Sequence, residues 1–265
     1  MADIPAKLVM QLRAETGAPM MDCKRALQET DADFEEAKRW LRERGMAQAA
    51  KRADRETTEG LVGYRIDGGK GTIVGIGCET EPVSKNDEFQ AFAKKVLDTV
   101  DAQGVGSESA LDEERQALSG KLGENIVLVD AAQFKAGDGE LVTGYAHPPA
   151  NKIGVLVLLR GGDEDLGRKV AMHIAALRPQ WVARDAVPEE DVARERDIFA
   201  NSDEVQSKPE QAREKIVEGM LNKRFFAANV LVDQEWVHDS SKTVAQALKE
   251  ADAEVVDFAR ISVAN

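Results

Sequence analysis

The stretch GCETEPVSKNDEF, residues 77–89, decides how this chain is read. A glycine-flanked apolar run stops there, and a helical pattern opens a few residues later. Between them sits Thr80-Glu81-Pro82-Val83, a stiff turn carrying one acid. Proline fixes its own φ and disfavours helix at the residue before it, here Glu81. On these residues alone the turn is an ordinary strand-to-helix connection.

Working outward, the period of the apolar residues gives an α+β chain. Upstream, LVGYRI and GTIVGIG flank Asp67-Gly68-Gly69-Lys70, two β runs about an Asp-Gly turn, hence a hairpin. Downstream, Phe89, Phe92, Ala93, Val96, Leu97 and Val100 line one helix face, with Ser84, Asn86 and Asp87 offering N-cap chemistry. A second helix is expected over 111–122, then strands in ENIVLVDAAQF and GELVTGYAHP. The order then returns. KIGVLVLLRGG reads as a strand and EDLGRKVAMHIAALRP as a helix, with Leu166, Val170, Ile174 and Leu177 on one face. Strand, turn and helix at 71–97 are echoed at 152–178. A weak internal duplication is expected: two α+β lobes, each a sheet covered by helices.

Two helical regions flank this pattern. Residues 1–45 read as three helices, with Leu8, Val9 and Leu12, then Met20, Cys23 and Leu27, then Phe34, Ala37, Trp40 and Leu41 on their inner faces. Asp33 and Glu36 form a capping box for the third, and Gly45 fits its C-terminal stop. MAQAAKRADRETTEG follows as a charged linker, helical in part. Residues 188–226 read as two charged helical segments around SDEVQSK, with Pro188 and Pro209 in first turns. The expected division is a three-helix module with linker at 1–54, a first lobe at 55–140, a second lobe at 141–187 and 227–265, and an inserted helical hairpin at 188–226.

Composition narrows the function. The net charge of −13 argues against a broad nucleic-acid footprint, which needs a surplus of Lys and Arg. Only 5% of residues are aromatic, so the cores are expected to be aliphatic. Cys23 and Cys78 form no CxxC pair; two free thiols are expected, and no structural zinc. No apolar run approaches the ~20 residues of a bilayer span, and MADIPAKLVMQLRAETG shows no signal core. A cytoplasmic protein is expected, with no membrane association. No catalytic constellation stands out: no histidine pair at i, i+4, no G-x-S-x-G, and GYRIDGGKGT misses the phosphate-loop register. The chain is therefore expected to be no enzyme, without catalytic or metal-binding residues and without a cofactor. His173 is expected to pack beside its helix stripe. His147, before Pro148-Pro149, is a loop residue and a candidate partner contact. Met20 and Met21 suit either packing or an adaptable apolar contact surface.

Two motifs go further. LRAETGAPMMDCKRALQE, residues 12–29, closely resembles the N-terminal signature of the bacterial elongation factor Ts family, and CETEPVSKNDEFQAFAKKV, residues 78–96, resembles its second signature. KLGENI (121–126), GYAH (144–147), IGVLV (153–157) and AMHIAALRP (171–179) follow in the family's order. The resemblance implies a guanine-nucleotide exchange factor for elongation factor Tu. It implies a three-helix module like a ubiquitin-associated domain, a two-lobed core and a helical hairpin. It also implies that Thr80, Glu81, Pro82 and Val83 form the turn that dislodges the partner's Mg²⁺, and that Met20, Met21, Asp22 and Cys23 belong to the motif gripping the partner. The family usually reads Thr-Asp-Phe-Val at 80–83. Here the acid is one methylene longer and the aromatic is replaced by Pro82. The expectation is a turn that still inserts, with Glu81 on the metal side and Pro82 and Val83 as a reduced wedge. The alternative is a chaperone-like or binding protein of the same fold with weak or no exchange. The expected partner is elongation factor Tu, GDP-bound and nucleotide-free, with no direct nucleic-acid contact. The hairpin is a candidate surface for a second copy. The family's further C-terminal helical module is expected to be short or absent after FARISV.

Overall fold

The structure is a computed structural model, which describes residues 4–263 apart from the side chains at 46 and 48–50. Three helices come first: α1 (Ala6–Thr16), α2 (Met20–Glu29) and α3 (Phe34–Arg52). They enclose a small core of Ile4, Val9, Leu12, Cys23, Ala26, Leu27 and Ala37. Asp33 caps α3 by accepting from the Glu36 amide at 2.8 Å.

The expected stop at Gly45 is corrected: α3 runs on to Arg52. Gly45 instead marks a helix crossing. A methyl group on Gly120, in α6 (Asp112–Leu122), would lie 3.1 Å from the Gly45 Cα. Two facing glycines let the backbones approach there, so α3 docks the three-helix unit onto the rest of the chain. Arg42–Glu113 adds an ion pair across the same contact.

The core begins with the hairpin β1 (Glu59–Asp67) and β2 (Lys70–Cys78), closed by Gly68 and Gly69, both at positive φ as an Asp-Gly turn requires. The chain then makes α4 (Glu81–Ser84) and α5 (Asp87–Gln103), a 3₁₀ turn, α6 and the strand β3 (Val127–Lys135). The sheet order is β1-β2-β3, all antiparallel. The second lobe repeats the plan. A hairpin of β4 (Glu140–Ala146) and β5 (Ile153–Arg160) leads to α7 (Glu164–Leu177). After an insertion come α12 (Val244–Glu250) and β6 (Glu254–Ser262), giving the order β4-β5-β6. Each sheet carries an irregularity where its central strand meets its last strand, at Gly75/Ile76 and at Leu158/Leu159. The internal duplication is thus present in topology and in detail.

The two sheets stack face to face. Alternation along β2 sends Val74, Ile76 and Cys78 toward α5, into a core with Phe89, Phe92, Val96 and Val100. The other face sends Ile73 against Leu156, Val142 and Ile261 of the second sheet. A methyl on Gly71 would lie 2.4 Å from Val142, so the layers meet closely. In the second lobe Val155, Val157 and Leu159 meet Val170 and Ile174 of α7. Leu177, expected on that stripe, is 41% exposed, because the helix ends there and Arg178 turns away at φ 54°.

The insertion contains α8 (Glu189–Ala200), α9 (Asp203–Gln206) and α10 (Glu210–Met220), the last continuing through a π-helical segment, Leu221–Phe226, into α11 (Ala227–Asn229). The connector between its long helices is therefore itself helical, because Val205 there is buried in the insertion's own core with Val217, Leu221 and Phe225. Pro188 and Pro209 stand at the N-cap positions of α8 and α10, one residue outside the expected first turn. Arg184 fastens the unit: it grips Asp233 through two bonds, at 2.7 and 3.0 Å, donates to Asn222, and lies over Phe226. His173 supplies a second lock. It is fully buried, accepts the Val237 amide on Nδ1, meets Gln234 Oε1 at 2.9 Å through Nε2, and stacks on Trp236. Burial pushes its pKa down, which favours the neutral ring these bonds require.

Candidate partner-binding surface

Residues 79–86 leave the end of β2 and carry α4. Thr80 is extended, at φ −129° and ψ 152°, and its carbonyl accepts from the Val83 and Ser84 amides. The Glu81 carbonyl accepts from the Lys85 amide and the Ser84 hydroxyl. These bonds outweigh the bias that Pro82 puts on its neighbour, so Glu81, expected to avoid helix, opens one. Pro82 falls in the first turn, where a missing amide hydrogen leaves no bond unmade. Asn86 then caps α5 by accepting from the Glu88 and Phe89 amides.

The result is a rigid knuckle. Glu81 and Pro82 are exposed, while Val83 is half-buried and packs on the α5 core. The Glu81 carboxylate pairs with Lys85 at 2.7 Å. The hydrogen bond from Lys85, and to a lesser extent the charge of Lys152, holds its pKa below the usual range, so Glu81 is an anion at neutral pH. Cys78 lies beneath the knuckle, its thiol donating to the Thr80 carbonyl. Burial first, then the charges of Glu124 and Glu59, push that thiol up to about 12, which makes it inert packing.

The knuckle is held from behind by residues that motif spotting missed. Glu124 Oε2 accepts from the amides of Glu79 and Thr80, at 3.1 and 3.0 Å, and Oε1 accepts from the Thr80 hydroxyl at 2.5 Å. Glu79 returns the arrangement by accepting the Asn125 amide at 2.6 Å. The only sequence signal was the segment KLGENI itself, whose role no local pattern reveals.

His147 and the knuckle lie on separate loops, one after β4 and one after β2. His147 follows β4 directly, is exposed, and meets the Tyr145 hydroxyl through Nδ1 at 2.7 Å. Its loop returns to Lys152, which pairs with Glu59 on β1 and also acts on Glu81. The N-terminal motif divides. Met20 and Met21 are 41% and 64% exposed at the start of α2, and Asp22 is half-buried. Met20, expected on the inner face, thus lies outside it. Cys23 is fully buried, its thiol donating to the Ala18 carbonyl, so it shapes the motif from within. The two regions approach each other across the end of α6. Lys121 lies over Gly17, where a methyl would come 2.1 Å from its Cε, and pairs with Glu88 at 2.6 Å. Three residues on, Glu124 holds Thr80.

Residues 79–265 match the family model described as Elongation factor TS. The chain belongs to that family. Similarity to its curated members extends over the N-terminal helices as well. Elongation factor Ts of Deinococcus radiodurans is 41% identical over 271 residues, covering 96% of this chain and 98% of that protein. Elongation factor Ts of Serratia proteamaculans is 41% identical over 267 residues, covering 99% and 92%. An Escherichia coli elongation factor Ts shows the same identity and coverage. As in those translation factors by name, both signature regions lie within the compared length, and the family match opens at Glu79, the first residue of the knuckle segment. No helix among the described residues of this family member is long and apolar enough to cross a membrane.

Proposed function

We propose that this chain is the guanine-nucleotide exchange factor of elongation factor Tu, and that it acts by binding rather than by bond-making chemistry. The observation that carries the reading is the knuckle: an anion and a proline held out from the fold, within the region matched to the family.

A GTPase holds GDP through its phosphates and a bridging Mg²⁺. An exchange factor binds a form of the GTPase in which that region is disturbed. By linkage, it weakens GDP by the factor by which GDP weakens it. A thousandfold effect needs about 4 kcal/mol of coupling. Glu81 carries negative charge toward the phosphate and metal region, Pro82 adds a stiff apolar edge, and Val83 roots both in the core. Met20 and Met21 provide an adaptable apolar grip on the nucleotide domain. His147, exposed on the loop after β4, adds a further contact. Breaking the exposed Glu81–Lys85 pair on docking costs little.

The test is stopped-flow release of fluorescent GDP from the cognate elongation factor Tu, with and without this protein. A large acceleration is expected. Pro82 in place of the family's usual aromatic favours a second reading, a binding protein of weak exchange. Tight binding without acceleration would decide for that second reading.

A further inference from the structure

We infer that Glu124 is the positioning residue of nucleotide exchange, setting the height and direction at which Glu81 and Pro82 leave the protein. This rests on the reading of α4 as the exchange turn.

β2 stops at Cys78, so the amides of Glu79 and Thr80 have left the sheet ladder and need an acceptor. One carboxylate oxygen of Glu124 takes both, and the other takes the Thr80 hydroxyl. Bonds to an ionised acceptor are the strong kind. A single helical turn such as α4 has no stability of its own. Its direction is therefore set by its anchors: the Glu124 clamp at Thr80, Val83 on the α5 core and the Asn86 cap of α5.

The clamp is itself fixed. The Ser119 hydroxyl donates to the Glu124 carbonyl at 2.5 Å, which ties it to the last turn of α6. Asn125 is buried; its side-chain amide donates to the carbonyls of Ala53 and Arg55, at 3.2 and 2.9 Å, and its backbone amide to Glu79. Arg55 closes the circuit with an ion pair to Glu79 at 3.4 Å. The segment after α6 thus holds the base of the knuckle and the end of the linker leaving α3. The same helix carries Gly120 at the α3 crossing and Lys121 over Gly17. Glu124 sits where the frame of the three-helix unit meets the knuckle. A group that only stabilised the fold would need none of this aim. Loss of a group that aims the knuckle would lower the exchange step while leaving the grip intact.

The experiment measures GDP release from elongation factor Tu across a range of factor concentrations, separating the maximal rate from the half-saturating concentration. Amide hydrogen exchange by NMR and thermal melting are recorded on the same variants. Glu124→Ala, assayed at a temperature where the variant stays folded, is expected to lower the maximal rate about tenfold, with half-saturation close to wild type and melting lowered by only roughly a few degrees. The Glu79 and Thr80 amides should exchange faster while those of α5 do not. Glu124→Gln keeps one acceptor oxygen and should restore part of the rate. Thr80→Val removes one bond and should cost less than Glu124→Ala; the double variant should be no slower than Glu124→Ala alone. Unchanged maximal rates in Glu124→Ala and Thr80→Val, a loss that follows melting or affinity instead, or unchanged Glu79 and Thr80 exchange would overturn the inference. A wild-type protein that binds but does not accelerate release would overturn the exchange reading, and the inference with it.

Discussion

β2 and β5 hold the same place in their sheets and each leads to the helix that covers its sheet, α5 and α7, yet the joints differ. After β5 the chain needs only residues 161–163. Gly161 and Gly162 turn at φ 69° and 66°, and Asp163 caps α7 by accepting from the Leu166 amide. After β2 the chain spends residues 79–86, adds α4, and only then reaches the Asn86 cap of α5. The short joint shows what the fold requires. The long joint exceeds it, and the excess faces solvent at Glu81 and Pro82. One joint is built for the fold. The other, on the reading proposed above, is built for a partner.

Substitutions should separate the two. Gly161→Ala should cost the most stability, about 2–3 kcal/mol, since φ is positive and a methyl would lie 2.3 Å from the Asp252 carbonyl. Urea denaturation reads that loss, and exchange per folded molecule should not change. Glu81→Ala with Pro82→Gly should do the reverse, slowing GDP release about tenfold while the melting temperature stays put.

Acid should part the lobes in a fixed order. The buried His173 has a lowered pKa, so below about pH 6.5 the unfolded chain takes a proton that the folded chain refuses. Stability contributed by its neutral form is present above that pH and falls as pH drops. In the first lobe, hydrogen bonds from Lys94 and Arg65 lower the Asp98 pKa, and those from Lys70 and Thr72 lower that of Asp101. Their contribution is present above the ordinary carboxylate pKa and is lost only as pH falls through the lower folded values. Amide exchange at pH 5.5 against pH 7.5 should loosen α7 and the 234–238 segment before β2 and α5. The smallest effect belongs to Lys85→Ala. Its pair with Glu81 is exposed, so melting should not move and release should stay within about twofold of wild type.

Local pattern carried much of this architecture. The stripe from Phe89 to Val100 and the Asp67-Gly68 turn each follow from a period or a turn chemistry that acts within a few residues. Gly45 misled because glycine serves equally as a helix stop and as a contact point between helices. Only the approach of Gly120, distant in sequence, distinguishes them. The stacking of the sheets was equally hidden, since Gly71 says nothing about Val142 until the layers meet. At the candidate site, the knuckle was visible in Glu81-Pro82, whereas its clamp was not. Glu124 and Asn125 act across more than 40 residues of chain, on partners no motif names.

The most direct test of the comparison is an exchange of joints. Residues 79–86 would be replaced by the Gly-Gly-Asp of residues 161–163, and the variant assayed for folding by circular dichroism, for binding to elongation factor Tu, and for GDP release. The account predicts a folded protein that still binds and no longer accelerates release. A variant that fails to fold, or one that releases GDP as fast as the wild type, would contradict it.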